Sequence, residues 1–133
     1  MTPNRIAAAA GAALFAVVGG WGLVVSLSPA DPVLGPLVAG VLGTSVPLAA
    51  LHLALALVLA VGAIRGERFA RGVNVGVGTA LFVLGMFGLF AVSTPANVLA
   101  LNGADNVLHF AASSGLLATG LGATRPKADA RRG

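Results

Sequence analysis

The chain predicts an all-α fold, an integral membrane four-helix bundle built as two tandem helical hairpins. Three observations predict it. Four apolar runs, Ile6 to Leu27, Pro47 to Ile64, Val73 to Val92 and Val107 to Ala123, follow one another. All 8 Lys and Arg residues fall at one set of run ends: Arg5, then Arg65, Arg68 and Arg71, then Arg125, Lys127, Arg131 and Arg132. Hydrophobic residues make up 57% of the 133 positions and charged ones 9%, too few charges to cover a soluble domain of this size. Short loops rich in Lys and Arg stay on the cytoplasmic side. Four crossings with this charge pattern put both termini and the middle connection there.

Each run is justified in turn. Crossing the hydrocarbon core takes about 20 residues of helix. The first and third runs have that length. The first begins with a basic residue, like a secretory leader, but it exceeds the roughly 7–15 residues of a leader's apolar segment and no A-x-A cleavage site follows. It reads as an uncleaved first helix. The second run reaches the length if it starts slightly before Pro47. The fourth reaches it by taking in Asp105 and Asn106 at the outer interface. The expected helices are therefore about 6–27, 47–64, 73–92 and 105–123, in one transmembrane domain over 1–123. The stretch Arg65 to Gly72 reads as a brief middle loop. Residues 124–133 read as a basic, disordered cytoplasmic tail.

The two outer connections differ. Ser28 to Val46 carries Pro29, Pro32, Gly35 and Pro36 and then the apolar Leu37 to Leu42. It is too short for a fifth span and would break the charge pattern, so it is expected to lie on or dip into the outer face, its backbone satisfied by protein. Ser93 to Asp105 reads as a polar loop.

A repeat runs through the chain. Gly19-Gly20-Trp21-Gly22-Leu23 is matched by Gly85-Met86-Phe87-Gly88-Leu89, and Leu51-His52-Leu53 by Leu108-His109-Phe110. This is the pattern of a duplicated two-helix hairpin with both copies in one orientation. Small residues mark the inward faces, because close backbone approach drives helix association in lipid. Ala49, His52, Ala56, Ala60 and Ala63 share a face of helix two, and Asp105, His109, Ser113 and Gly120 one of helix four.

Candidates for chemistry are few. The chain has no cysteine, which removes disulfides, thiolate metal sites and thiol catalysis. His52 and His109 are the ionisable groups expected within the membrane, at similar depth below the outer surface. Polar residues there are functional candidates by default. Three readings compete: structural hydrogen bonding; paired axial ligation of a haem b by His52 and His109; and a proton-linked or divalent-metal site using His52, His109 and Asp105. Asn102 or Asp105 is expected to cap helix four. Asp105 and His109, four residues apart, can also meet on its surface.

The Asn102-Gly-Ala-Asp105-Asn-Val-Leu-His109 motif, with His52 opening helix two and four helices with cytoplasmic termini, resembles an uncharacterised family of four-helix membrane proteins of Gram-positive actinobacteria, classed as a domain of unknown function. The chain departs from that pattern before His52, where Thr44, Ser45 and Val46 replace Asn and His. The resemblance implies topology and no reaction.

Other classes fit less well. The net charge of +4 sits at run ends without interleaved aromatics, so nucleic acid is not an expected partner; anionic lipid is the nearer one. A hydrolase would need a base for Ser113 or Ser114 beyond His109. A small multidrug exporter needs a carboxylate deep in a helix. A quinone-linked role has no feature to mark it. The expectation is a non-enzymatic accessory or interaction protein of the cytoplasmic membrane, with lipid and other membrane proteins as partners and no cofactor specified. The alternative is a ligand- or cofactor-binding protein built on the two histidines.

Overall fold

The computed structural model of the chain describes residues 1–32 and 34–122. The tail expected to be disordered, 124–133, lies outside the described residues. Among the described residues, four helices form the fold: α1 (Pro3–Ser26), α2 (Val46–Arg65), α3 (Glu67–Ala91) and α4 (Gly103–Gly122).

Local chemistry sets the ends. Pro3 and Pro47 stand in the first turns of α1 and α2, where a missing N–H costs nothing. Ser45 caps α2, its Oγ accepting from Leu48 N at 3.3 Å, and donates to Leu99 O at 2.8 Å. That second bond ties the start of α2 to the loop before α4.

The middle connection differs from the sequence expectation. α2 ends at Arg65 and α3 begins at Glu67, so the joint is Gly66 alone, at φ 105 and ψ 171. That backbone conformation is readily open only to glycine. Arg68 and Arg71 are helical. The hydropathy pattern finds the apolar part of a helix; charges and Gly72 hid the first turns of this one.

The first outer segment also adds an element to the all-α expectation. A two-stranded antiparallel ribbon, β1 (Leu37–Val38) and β2 (Leu42–Gly43), pairs Leu37 with Gly43 and Val38 with Leu42. Val38 is buried, and the ribbon packs on α1 and α4.

Packing is hairpin by hairpin. α1 lies chiefly on α2, and α3 on α4; α2–α3, α1–α3 and α1–α4 contacts are smaller. The backbones of α2 and α4 do not approach each other, so these two helices face across the bundle. The central cluster comprises Ala8, Phe15, Ala56, Leu59, Ala63, Val77, Leu81 and Leu116.

The repeat governs burial. The register that lays Gly19 on Gly85 lays Asn4, Ala8, Phe15 and Gly22 on Ala70, Asn74, Leu81 and Gly88, and every one is buried. The register that lays His52 on His109 lays Leu48, Ala49, Ala56, Leu59 and Ala63 on Asp105, Asn106, Ser113, Leu116 and Gly120, again all buried. Arg5 Nε donates to Ala63 O at 2.7 Å, and its counterpart Arg71 Nε donates to Gly120 O at 2.9 Å. One residue of the expected inward face is misplaced: Ala60 is exposed, and Leu59 takes its place inside. In a run rich in alanine, small size alone does not mark the face.

The surface inverts the usual order. Trp21, Leu57, Phe82, Phe87, Leu89, Phe90 and Val107 are exposed, while Asn4, His52, Asn74, Asp105, Asn106, His109 and Ser113 are buried. Among the described residues α1, α2 and α3 are long and apolar enough to cross a membrane. α4 falls short of that measure because its polar residues, Asp105, Asn106, His109 and Ser113, count against it although they point inward.

Candidate functional site

The strongest polar convergence lies one to two turns inside the ends of α2 and α4. His52 Nε2 and His109 Nε2 are 3.0 Å apart and buried. The imidazoles bridge the gap that the α2 and α4 backbones leave. Equivalent residues of a repeat can touch only beside the axis relating the two copies, so this pair sits at the centre of the bundle. Phe15 packs against it, its ring 5.3 Å from that of His52. Gly19 provides the space: a Cβ there would lie 3.0 Å from both His52 Cβ and Ala49 O.

The protons follow from the partners. A neutral imidazole has one N–H and one acceptor nitrogen, so one Nε2 donates and the other accepts. His109 Nδ1 is buried and has no hydrogen-bond partner among the described residues. Orphaned N–H groups are rarer in proteins than orphaned acceptors. The favoured arrangement therefore has His109 donating through Nε2–H to His52, with His109 Nδ1 as a bare acceptor.

Asn102 and Asp105 cap α4 reciprocally. Asp105 N donates to Asn102 Oδ1 at 3.1 Å, and Asn102 N donates to Asp105 Oδ2 at 2.9 Å. This is a capping box with Asn and Asp in the two roles. Asn102 Nδ2 also donates to Val41 O at 2.8 Å, bringing in the turn of the ribbon. Gly43 permits the approach, because a Cβ there would lie 3.0 Å from Asp105 Oδ2 and collide with Ala100 O. The expected Asp105–His109 contact is not formed as a hydrogen bond: Asp105 Oδ1 and His109 Nδ1 are both buried without partners among the described residues. The other carboxylate oxygen, Oδ2, is held by the Asn102 N–H.

This geometry bears on the two cofactor readings. Metal–imidazole bonds run about 2 Å, so two axial nitrogens on opposite faces of a haem stand about 4 Å apart with the macrocycle between them. The observed spacing, 3.0 Å, is that of a direct hydrogen bond. A small ion spanning one edge of its coordination shell would suit the spacing better. Yet no cluster of three His, Cys, Asp or Glu gathers among the described residues, and Asp105 does not join the pair.

A second polar layer, at the opposite end, was missed in the sequence. Asn4 and Asn74 are fully buried. Asn74 Nδ2 donates to Asn4 O at 2.9 Å and to Asn4 Oδ1 at 3.1 Å. Asn4 Nδ2 donates to Glu67 Oε1 at 2.6 Å, and Thr2 Oγ1 donates to Glu67 Oε2. These bonds stitch α1 to α3 beside the Gly66 joint. Asn74 inside the third apolar run was the available signal; Asn4 precedes the first run and gave none. Arg5, Arg65, Arg68 and Arg71, the basic residues within the described part, all sit at this end.

The model of a family described as a domain of unknown function (DUF4383) matches residues 5–122. No curated protein and no solved structure matches the chain.

Proposed function

The chain belongs to that family of unknown function, and we propose that it is an integral membrane four-helix bundle with a non-enzymatic, accessory or interaction role in the cytoplasmic membrane. One observation carries the membrane reading: the inverted distribution of polarity, with Asn4, His52, Asn74, Asp105 and His109 inside and Trp21, Leu57, Phe90 and Val107 outside. In water that arrangement buries polar groups at a cost and exposes apolar area; in lipid both terms reverse. α4 crosses with the others because it packs along α3 and turns its polar residues inward. The basic end faces the cytoplasm by the positive-inside rule, which puts the N-terminus there and the capping box and ribbon outside.

The accessory role is supported by what the buried polar groups do. The capping box ends a helix, the Asn4–Asn74–Glu67 set joins two helices, and the histidines span the bundle. Each has a structural use that needs no substrate. A complementation experiment tests this. The defect of a deletion strain should be corrected by a chain carrying His52→Leu and His109→Leu together, provided the variant accumulates in membranes. A variant that accumulates normally and fails to complement would instead favour the reading in which the histidines bind a ligand.

A further inference from the structure

The α2–α3 joint carries a feature that the bundle itself does not use. A pocket of about 570 Å³ opens there, lined by Arg65, Gly66, Glu67, Arg68, Phe69, Gly72 and Val73; the Glu67 carboxylate in this lining is held by Thr2 and Asn4. The other charged groups at this end are engaged within the protein: Arg5 with Ala63 O and Arg71 with Gly120 O. Arg68 is exposed and has no partner among the described residues. Arg65 rests over the Phe69 ring at 5.4 Å, which leaves its N–H groups available. The one-residue joint holds these two guanidiniums within a single reversal of the chain. Phe69, 43% exposed, and Val73 give the same pocket an apolar side.

We propose that this pocket binds the headgroup phosphate of an anionic phospholipid, with Arg65 and Arg68 as the cationic donors and Phe69 and Val73 against the upper part of the acyl chains. The proposal rests on the membrane reading above, since it places the joint at the cytoplasmic headgroup level. Guanidinium groups match phosphate oxygens in geometry. Basic pockets between helices on this side of a membrane suit acidic headgroups. The apolar side selects a lipid over free phosphate, which has nothing to place there.

Brominated lipids test it. In a chain carrying Trp21→Phe and Phe69→Trp, the sole tryptophan reports the lipid at the pocket. Reconstituted in vesicles, it should be quenched by brominated phosphatidylglycerol more than by brominated phosphatidylcholine, at equal mole fraction. Arg65→Gln and Arg68→Gln should each cut that preference about fivefold, the equivalent of roughly 1 kcal/mol per basic residue near a membrane surface. Equal quenching by the two lipids, or a preference that survives both substitutions, would overturn the proposal and leave the membrane reading standing. A preference erased by millimolar inorganic phosphate at constant ionic strength would assign the pocket to free phosphate and also overturn it. Protein that fails to float with vesicles, and is quenched by neither lipid, would overturn the membrane reading as well.

Discussion

His52 Nε2 lies 3.0 Å from His109 Nε2, and the two residues are counterparts in a repeat whose halves share many buried positions. Deleting one imidazole strands the other in a buried setting, which costs about 1–3 kcal/mol for the lost partner, beyond the cavity left behind. His109→Ala should therefore lower stability in detergent by at least that amount. Replacing both with leucine removes the need for a partner, so the double variant should be less destabilised than the two single leucine variants added together. A double-mutant cycle from denaturant unfolding reads this directly. Strict additivity would mean that the bond contributes nothing.

Glycine positions give a second test, because two kinds occur on one helix. A Cβ at Gly88 would collide with the Asn106 side chain, whereas one at Gly76 would meet nothing within 4 Å. Gly88→Ala should destabilise the bundle by about 1–3 kcal/mol through overpacking. Gly76→Ala should be neutral or stabilising, by up to about 1 kcal/mol, from helix propensity. Thermal unfolding in one detergent compares them, and equal effects would remove the assignment of α3's packed face.

The repeat predicts equal consequences at equivalent arginines. Arg5 and Arg71 each satisfy a carbonyl near the end of a partner helix, Ala63 O and Gly120 O. Hydrogen bonds to charged groups contribute about 1.5–3 kcal/mol, and partial exposure places these at the lower end. Arg5→Met and Arg71→Met should shift the unfolding midpoint by similar amounts. A large effect at one and none at the other would show that the halves do not share this device.

How much of this was legible in the sequence depends on the kind of signal. Histidines in apolar runs stand out, and the matched Leu-His pairs placed His52 and His109 at one depth. Their meeting across the bundle needed the helix arrangement, because α2 and α4 are not backbone neighbours. The start of α3 was hidden because Arg68, Arg71 and Gly72 end the apolar run while the helix continues beneath them. The ribbon at Leu37–Gly43 was invisible, since two-residue strands are too short to show alternation. Asn102 and Asp105 were readable as capping residues from their spacing. The approach of Gly43 in the ribbon to the Asp105 carboxylate is a tertiary contact beyond any local rule. The Asn4–Asn74 bond joins residues 70 apart, and nothing local links them.

The central claim is a bundle with polar residues inside, apolar residues facing lipid, and its basic end in the cytoplasm. The chain has no native cysteine, so single cysteines report sidedness cleanly. Ala30 and Ala96 are exposed at one end of the bundle and Arg68 at the other. With a membrane-impermeant maleimide on intact cells, Ala30→Cys and Ala96→Cys should label. Arg68→Cys should label only after permeabilisation. Labelling of Arg68→Cys from outside, or protection of Ala96→Cys, would contradict the account.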